Sequence, residues 1–99
     1  MKNSEDHFKL LRTIKNKPET SQREMAKNLG FSLGKLNYCL KALQKKGFIK
    51  INNFKKNPNK VNYIYVLTPK GISEKTKLTI NFMTRTLKEY DELKKELKS

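Results

Sequence analysis

The sequence predicts a mainly α-helical chain with a small β-hairpin: a winged helix-turn-helix over residues 1–68, followed by a long C-terminal dimerisation helix over 69–99. Three observations carry that expectation. Two capped helical segments meet at the tight glycine turn "GFS" (30–32), the outline of a helix-turn-helix. Two runs rich in β-branched and aromatic residues, "FIKI" (48–51) and "VNYIYVL" (61–67), flank the turn-forming, basic "NNFKKNPNK" and so form a hairpin with a long loop. From Pro69 to Leu97 no strong breaker intervenes beyond Gly71 in the first turn.

Ser4 is placed to cap a first helix over about residues 5–16, where Phe8, Leu11 and Ile14 recur at helical spacing with Leu10 beside them, and Pro18 ends it. Ser21 and Glu24 stand at capping-box spacing, Met25 and Leu29 follow four apart, and Gly30 suits the left-handed position beyond a helix end. That gives a second helix over about 22–29. Ser32 is the next capping residue, and Leu33, Leu36, Leu40 and Leu43 mark one side of a third helix ending at Gly47. Thr68 caps the last helix, with Pro69 at a first position where no hydrogen bond is lost. At 1.5 Å per residue it extends about 43 Å.

The 99 residues suffice for one small domain with a modest core, and self-association is a natural source of further stability. They carry 23 Lys+Arg against 9 Asp+Glu, net +14. Four of the acids lie in residues 89–99, leaving the rest of the chain with 20 basic and 5 acidic residues, or +15. A polyanion is the expected partner, nucleic acid first and an anionic membrane surface second. Cys39 is the single cysteine, which excludes an internal disulfide and fits a reducing, cytoplasmic setting. The charged N-terminus has no run suited to a signal peptide, and nothing approaches the roughly 20 apolar residues of a membrane span.

On the third helix the four leucines fall within one sector of about 80°, the face a helix buries. The other side carries Gly34, Lys35, Tyr38, Lys41, Ala42 and Lys45, flanked by Asn37 and Cys39. As a recognition helix, its small residues permit close approach, its lysines meet phosphates or guanine edges, and Asn37 or Tyr38 contacts bases. Ser32 at its start and Ser21, Gln22 and Arg23 at the start of the second helix complete the expected contacts. A solvated lysine face is the competing account of the same pattern. On the hairpin, Lys55, Lys56 and Lys60 suit minor-groove or phosphate contact, against the alternative of a loop that serves solubility.

In the last helix Ile72, Ile80, Met83, Leu87, Tyr90, Leu93 and Leu97 fall with Thr76, Thr79 and Thr86 along one stripe, with Phe82 at its edge. A domain of about 68 residues cannot cover a stripe of that length. Its first two turns are expected to cap the winged helix, and Ile80, Met83, Leu87, Tyr90, Leu93 and Leu97 to pair with a second copy. A frayed tail competes with this, and a membrane helix is opposed by Glu89, Asp91, Glu92 and Glu96.

"SQREMAKNLGFSLGKLNYCLKALQKKGFIK" with the later "YIYVLTPKGI" resembles the MarR-type winged-helix regulators, in particular their small exopolysaccharide-associated subgroup. The resemblance runs from about Leu10 to Leu93, and "SLGKLNYCLKAL" is its most diagnostic piece. It implies DNA binding as a dimer, with the third helix in the major groove and the wing on the flanking backbone or minor groove. Typical members are longer, with a further N-terminal helix and a ligand pocket near it, so no effector is carried over.

"GFSLGK" has one residue too few between its glycines for a phosphate loop and lacks the Ser or Thr after the lysine. Cys39 has no evident base, His7 stands alone, and the acids are not paired, so neither a metal site nor a cofactor nor catalysis is expected. The sequence thus favours a homodimeric, sequence-specific DNA-binding regulator. A winged helix serving as a protein-interaction or RNA-associated module is the alternative.

Overall fold

The computed structural model describes residues 2–54 and 62–99, arranged as α1 (Lys2–Asn16), α2 (Gln22–Leu29), α3 (Leu33–Lys45), β1 (Ile49–Phe54), β2 (Asn62–Leu67) and α4 (Pro69–Lys98). This is the winged helix-turn-helix with a long C-terminal helix that the sequence predicts. Lys55, Lys56 and Lys60 lie outside the described residues.

Cap chemistry sets the element ends. The Ser21 and Ser32 hydroxyls accept hydrogen bonds from the backbone N–H groups of Glu24 (3.2 Å) and Lys35 (3.1 Å). At the far ends of α2 and α3, Gly30 (φ 71°) and Gly47 (φ 78°) turn into the left-handed region. Phe31 N–H then donates to Ala26 C=O and Phe48 N–H to Leu43 C=O, the paired closure that satisfies a helix's last carbonyls. Ser4 does not cap α1 as expected. The helix starts at Lys2 and carries Ser4 in its first turn, since Lys2 and Asn3 do not break a helix.

The core collects Leu10, Leu11 and Ile14 of α1, Met25 and Ala26 of α2, Leu36, Cys39, Leu40 and Leu43 of α3, Ile49 of β1 and Tyr65 of β2, with Phe8 also buried. α1 touches every other helix and β2, which is why it buries more than one narrow stripe. Leu33 departs from expectation: it is 49% exposed. It stands at the edge of the leucine sector and in the first turn, where α3 extends past the elements that cover its later turns. The two strands pair antiparallel, Ile49 opposite Leu67 and Ile51 opposite Tyr65.

α4 is bolted to the end of α3. The Thr68 hydroxyl donates to Gly47 C=O (2.6 Å) and accepts from Gly71 N–H (3.0 Å), while Thr68 N–H donates to Phe48 C=O (3.0 Å). Gly71 is the buried residue of α4 because its backbone lies directly on Phe48. Intrachain packing continues beyond the two turns expected. Leu78 reaches the core, and Phe82 stacks on Phe8 with ring centroids 5.5 Å apart. Phe8, in the second turn of α1, supplies the surface that Phe82 meets. The face of Gly71, Leu78 and Phe82 is centred about 110° around α4 from the middle of the expected stripe, counting 100° per residue. The large apolar side chains of the stripe, from Ile72 to Leu97, are therefore all exposed, with Thr79 half-buried on the side nearer its own chain.

Gly71→Ala is expected to lower stability by about 1–3 kcal/mol in urea denaturation, against the roughly 1 kcal/mol that helix propensity alone favours for alanine. An added Cβ would overlap the Phe48 carbonyl oxygen and sit 2.8 Å from its carbon. A neutral or stabilised variant would show that the junction gives way freely.

His7 is half-buried beside Lys46 and Glu74. Burial, aided by Lys46, holds its imidazole below the ordinary 6.5, opposed by Asp6 and Glu74. The fold thus favours the neutral ring. As pH falls through about 6.5 the unfolded chain binds a proton that the folded chain resists, and stability drops; above that value this group contributes no slope. His7→Gln should therefore lose less of its urea midpoint between about pH 7.5 and pH 5.5 than the parent. An equal loss would assign the acid sensitivity to other groups.

Candidate nucleic-acid interface

The buried arc of α3, centred between Leu36 and Leu43, fixes what its other side presents. Gly34, Asn37, Tyr38, Lys41 and Lys45 all fall within an arc of about 100° on the opposite side, and all are exposed, Tyr38 by 71%. α3 contains no acidic residue. A Cβ at Gly34 would meet nothing within 4 Å, so this part of the helix is open to close approach. Ser32 is exposed at the tip, its hydroxyl engaged as the cap.

The remaining candidates divide. Ser21 and Arg23 are exposed at the start of α2. Gln22 is half-buried, and its Nε2 donates to the Tyr65 hydroxyl (3.0 Å), tying α2 to β2. Lys35 points away from the centre of the exposed arc: its Nζ lies 3.1 Å from Asp6 Oδ2 and 4.4 Å from the Phe31 ring centroid. Lys41 and Lys45 make no ion pair among the described residues. The side chains of Ile80, Met83, Leu87, Tyr90, Leu93 and Leu97 are all exposed on α4.

Sequence reasoning missed Leu33, which joins the exposed face one turn before Asn37. Its marginal angle in the leucine sector is the one signal that points there. It also missed Asp6, for which local sequence holds no signal, because its partner lies on another helix. Cys39 is packed in the core; burial pushes its thiol up, Asp6 adds to the shift and Lys35 opposes it. Among the described residues no group of three or more His, Cys, Asp or Glu is placed to hold a metal ion, and no helix is long and apolar enough to cross a membrane.

Residues 7–50, from α1 into β1, match the family described as winged helix-turn-helix DNA-binding. No curated protein matches the chain. Among solved structures it is similar to the transcriptional repressor CouR bound to a 23-mer DNA duplex, with 24% identity and TM-score 0.72 over 87% of this chain and 59% of that one. It is similar to Staphylococcus aureus MarR in complex with salicylate and kanamycin, with 20% identity and TM-score 0.69 over 87% and 56%. Streptococcus pneumoniae FabT in complex with DNA matches at 21% identity and TM-score 0.64 over 87% and 58%. At these identities the likeness establishes the winged helix-turn-helix fold, and the chain spans less than two thirds of the length of each of the three.

Proposed function

We propose that the chain is a MarR-type DNA-binding transcription regulator that acts as a homodimer, most simply a repressor that blocks access to the DNA it occupies. The observation that carries this reading is the exposed face of α3, which has no acidic residue and stands opposite a fully buried seam in a body of net charge +15. The DNA named with the CouR and FabT structures, a 23-mer duplex in the first, supports it.

In this account α3 enters the major groove tip first, since a helix fits that groove and its N-terminal residues reach deepest. Gly34 lets the backbone come close. Asn37 and Tyr38 contact base edges, Leu33 offers an apolar surface to a thymine methyl, and Lys41 and Lys45 meet phosphates. Ser21 and Arg23 sit over the backbone at the start of α2, and Lys55, Lys56 and Lys60 of the wing add phosphate or minor-groove contacts. The role is binding, not catalysis, without metal or cofactor, in the cytoplasm where the DNA is. The exopolysaccharide-associated subgroup rests on the sequence resemblance alone.

Residues 69–99 form the dimerisation segment. The α4 stripe is apolar, exposed and turned from its own chain, and a second copy offers the same stripe in a two-fold arrangement. Its threonines do not spoil the seam: the hydroxyls of Thr76, Thr79 and Thr86 donate to carbonyls one turn back, which leaves methyl groups outward. Two α3 helices then address half-sites about 34 Å apart, one turn of DNA.

The test is selection of duplexes from a random pool, followed by gel shift at rising salt with excess competitor DNA. A regulator retains a specific band, whereas a protein-interaction or RNA-associated module loses it. Asn37→Ala or Tyr38→Ala should weaken binding to the selected site by about 1–3 kcal/mol while non-specific binding stays the same and the melting temperature barely moves. Equal loss on both kinds of DNA would remove these residues from base reading.

Sedimentation at micromolar concentration should give a dimer. Leu87→Glu with Leu93→Glu should give a folded monomer that binds the selected site far more weakly, since linked half-sites gain from effective concentration. A parent protein that sediments as a monomer with and without the selected duplex would contradict the two-fold arrangement.

A further inference from the structure

Of the three lysines within α3, Lys35 alone is paired among the described residues. Its partner Asp6 comes from α1, and the carboxylate side chain is only 17% exposed while Lys35 is 48% exposed. The Phe31 ring, 4.4 Å from Nζ, holds the ammonium from another side. Lys35 is also fixed through its backbone, which donates to the Ser32 cap. A lysine at the tip of a groove-entering helix is thus drawn back toward the body of the protein by an acid whose own position α1 sets.

We propose that Asp6 is a selectivity determinant: by holding Lys35 it keeps one cation at the tip of α3 off DNA phosphates, lowering affinity for arbitrary DNA without touching base-reading contacts. This rests on the DNA-binding reading of α3. Non-specific affinity is built from phosphate contacts, each releasing counterions, so withholding one lysine makes the salt dependence shallower by about 0.9 of a unit. A phosphate that engages Lys35 must displace a carboxylate 3.1 Å away and also come near that negative charge. Contacts from Asn37 and Tyr38 bear no such cost. The ratio of specific to non-specific affinity, which decides occupancy among many competing sites, therefore rises.

The experiment measures binding of the full chain to a duplex lacking the selected site, and to the selected site, as a function of salt. Asp6→Asn keeps size and shape while removing the charge. It should steepen the non-specific salt dependence by about one unit, raise non-specific affinity several-fold at about 0.1 M salt and lower the specificity ratio. Lys35→Ala should leave the parent's slope within about half a unit, and Asp6→Asn in the Lys35→Ala background should add nothing. Melting curves of each variant confirm folding, and the Lys35→Ala arm stands even where Asp6→Asn unfolds. A loss of one unit in Lys35→Ala would overturn the proposal, because Lys35 would then already contact phosphate. So would an equal rise on Asp6→Asn with and without Lys35, which would reduce Asp6 to a general field. If Lys41→Ala weakens binding normally but Asp6→Asn changes nothing, this inference alone fails. If the parent protein binds no duplex, the DNA-binding reading fails with it.

Discussion

Leu36, Cys39, Leu40 and Leu43 lie on one arc of α3, each 5% exposed or less, against Leu10, Leu11, Ile14 and Met25. Burial stabilises each such leucine by about 1.5–3 kcal/mol, and truncating one would cost about 2–5 kcal/mol with its cavity. A helix cannot turn its seam inward without turning the opposite arc outward. Packing thus does two things at once: it holds the domain together and it aims Gly34, Asn37, Tyr38, Lys41 and Lys45 at whatever approaches. The Ser32 cap and the left-handed turn at Gly47 set how far the helix reaches in each direction.

The junction of Gly47, Phe48, Thr68 and Gly71 transmits that placement to α4. Because Thr68 bonds to the end of α3 while it starts α4, the angle between the two helices is set by hydrogen bonds and a close backbone contact, not by a linker. α4 presents two distinct faces. Gly71, Leu78 and Phe82 bind it to its own chain, and a separate apolar stripe centred about 110° away stays exposed. A dimer formed through that stripe would fix the spacing of two α3 helices through rigid elements alone. Asp6 belongs to the same frame, since α1 packs on both α3 and α4 and brings its carboxylate to Lys35.

Those parts of the fold that depend on neighbouring residues were legible in the sequence. The ends of α2 and α3 and the start of α4 rest on Ser21, Gly30, Ser32, Gly47, Thr68 and Pro69, whose effects act within a few residues, and all stand where expected. Ser4 misled because a serine inside a first turn and one at a cap differ only in what precedes them. Leu33 misled because periodicity marks a face but not where along the helix that face is covered. The Gln22 bond to Tyr65 and the Asp6 pair with Lys35 join residues far apart in sequence, and no local pattern reveals them. The face α4 turns to its own chain was obscured for a similar reason: Phe82 sits at the edge of the longer stripe, and only the position of Phe8 selects it.

If α3 is the recognition helix, the arc opposite its buried seam is the surface that meets DNA. Mapping amide chemical shifts of the labelled full chain on addition of a selected duplex tests it most directly. The largest changes are expected at Ser32, Gly34, Asn37, Tyr38 and Lys41, with smaller ones at Ser21 and Arg23 and little along α4 beyond Tyr90. Changes concentrated on the α4 stripe, with α3 unmoved, would contradict it.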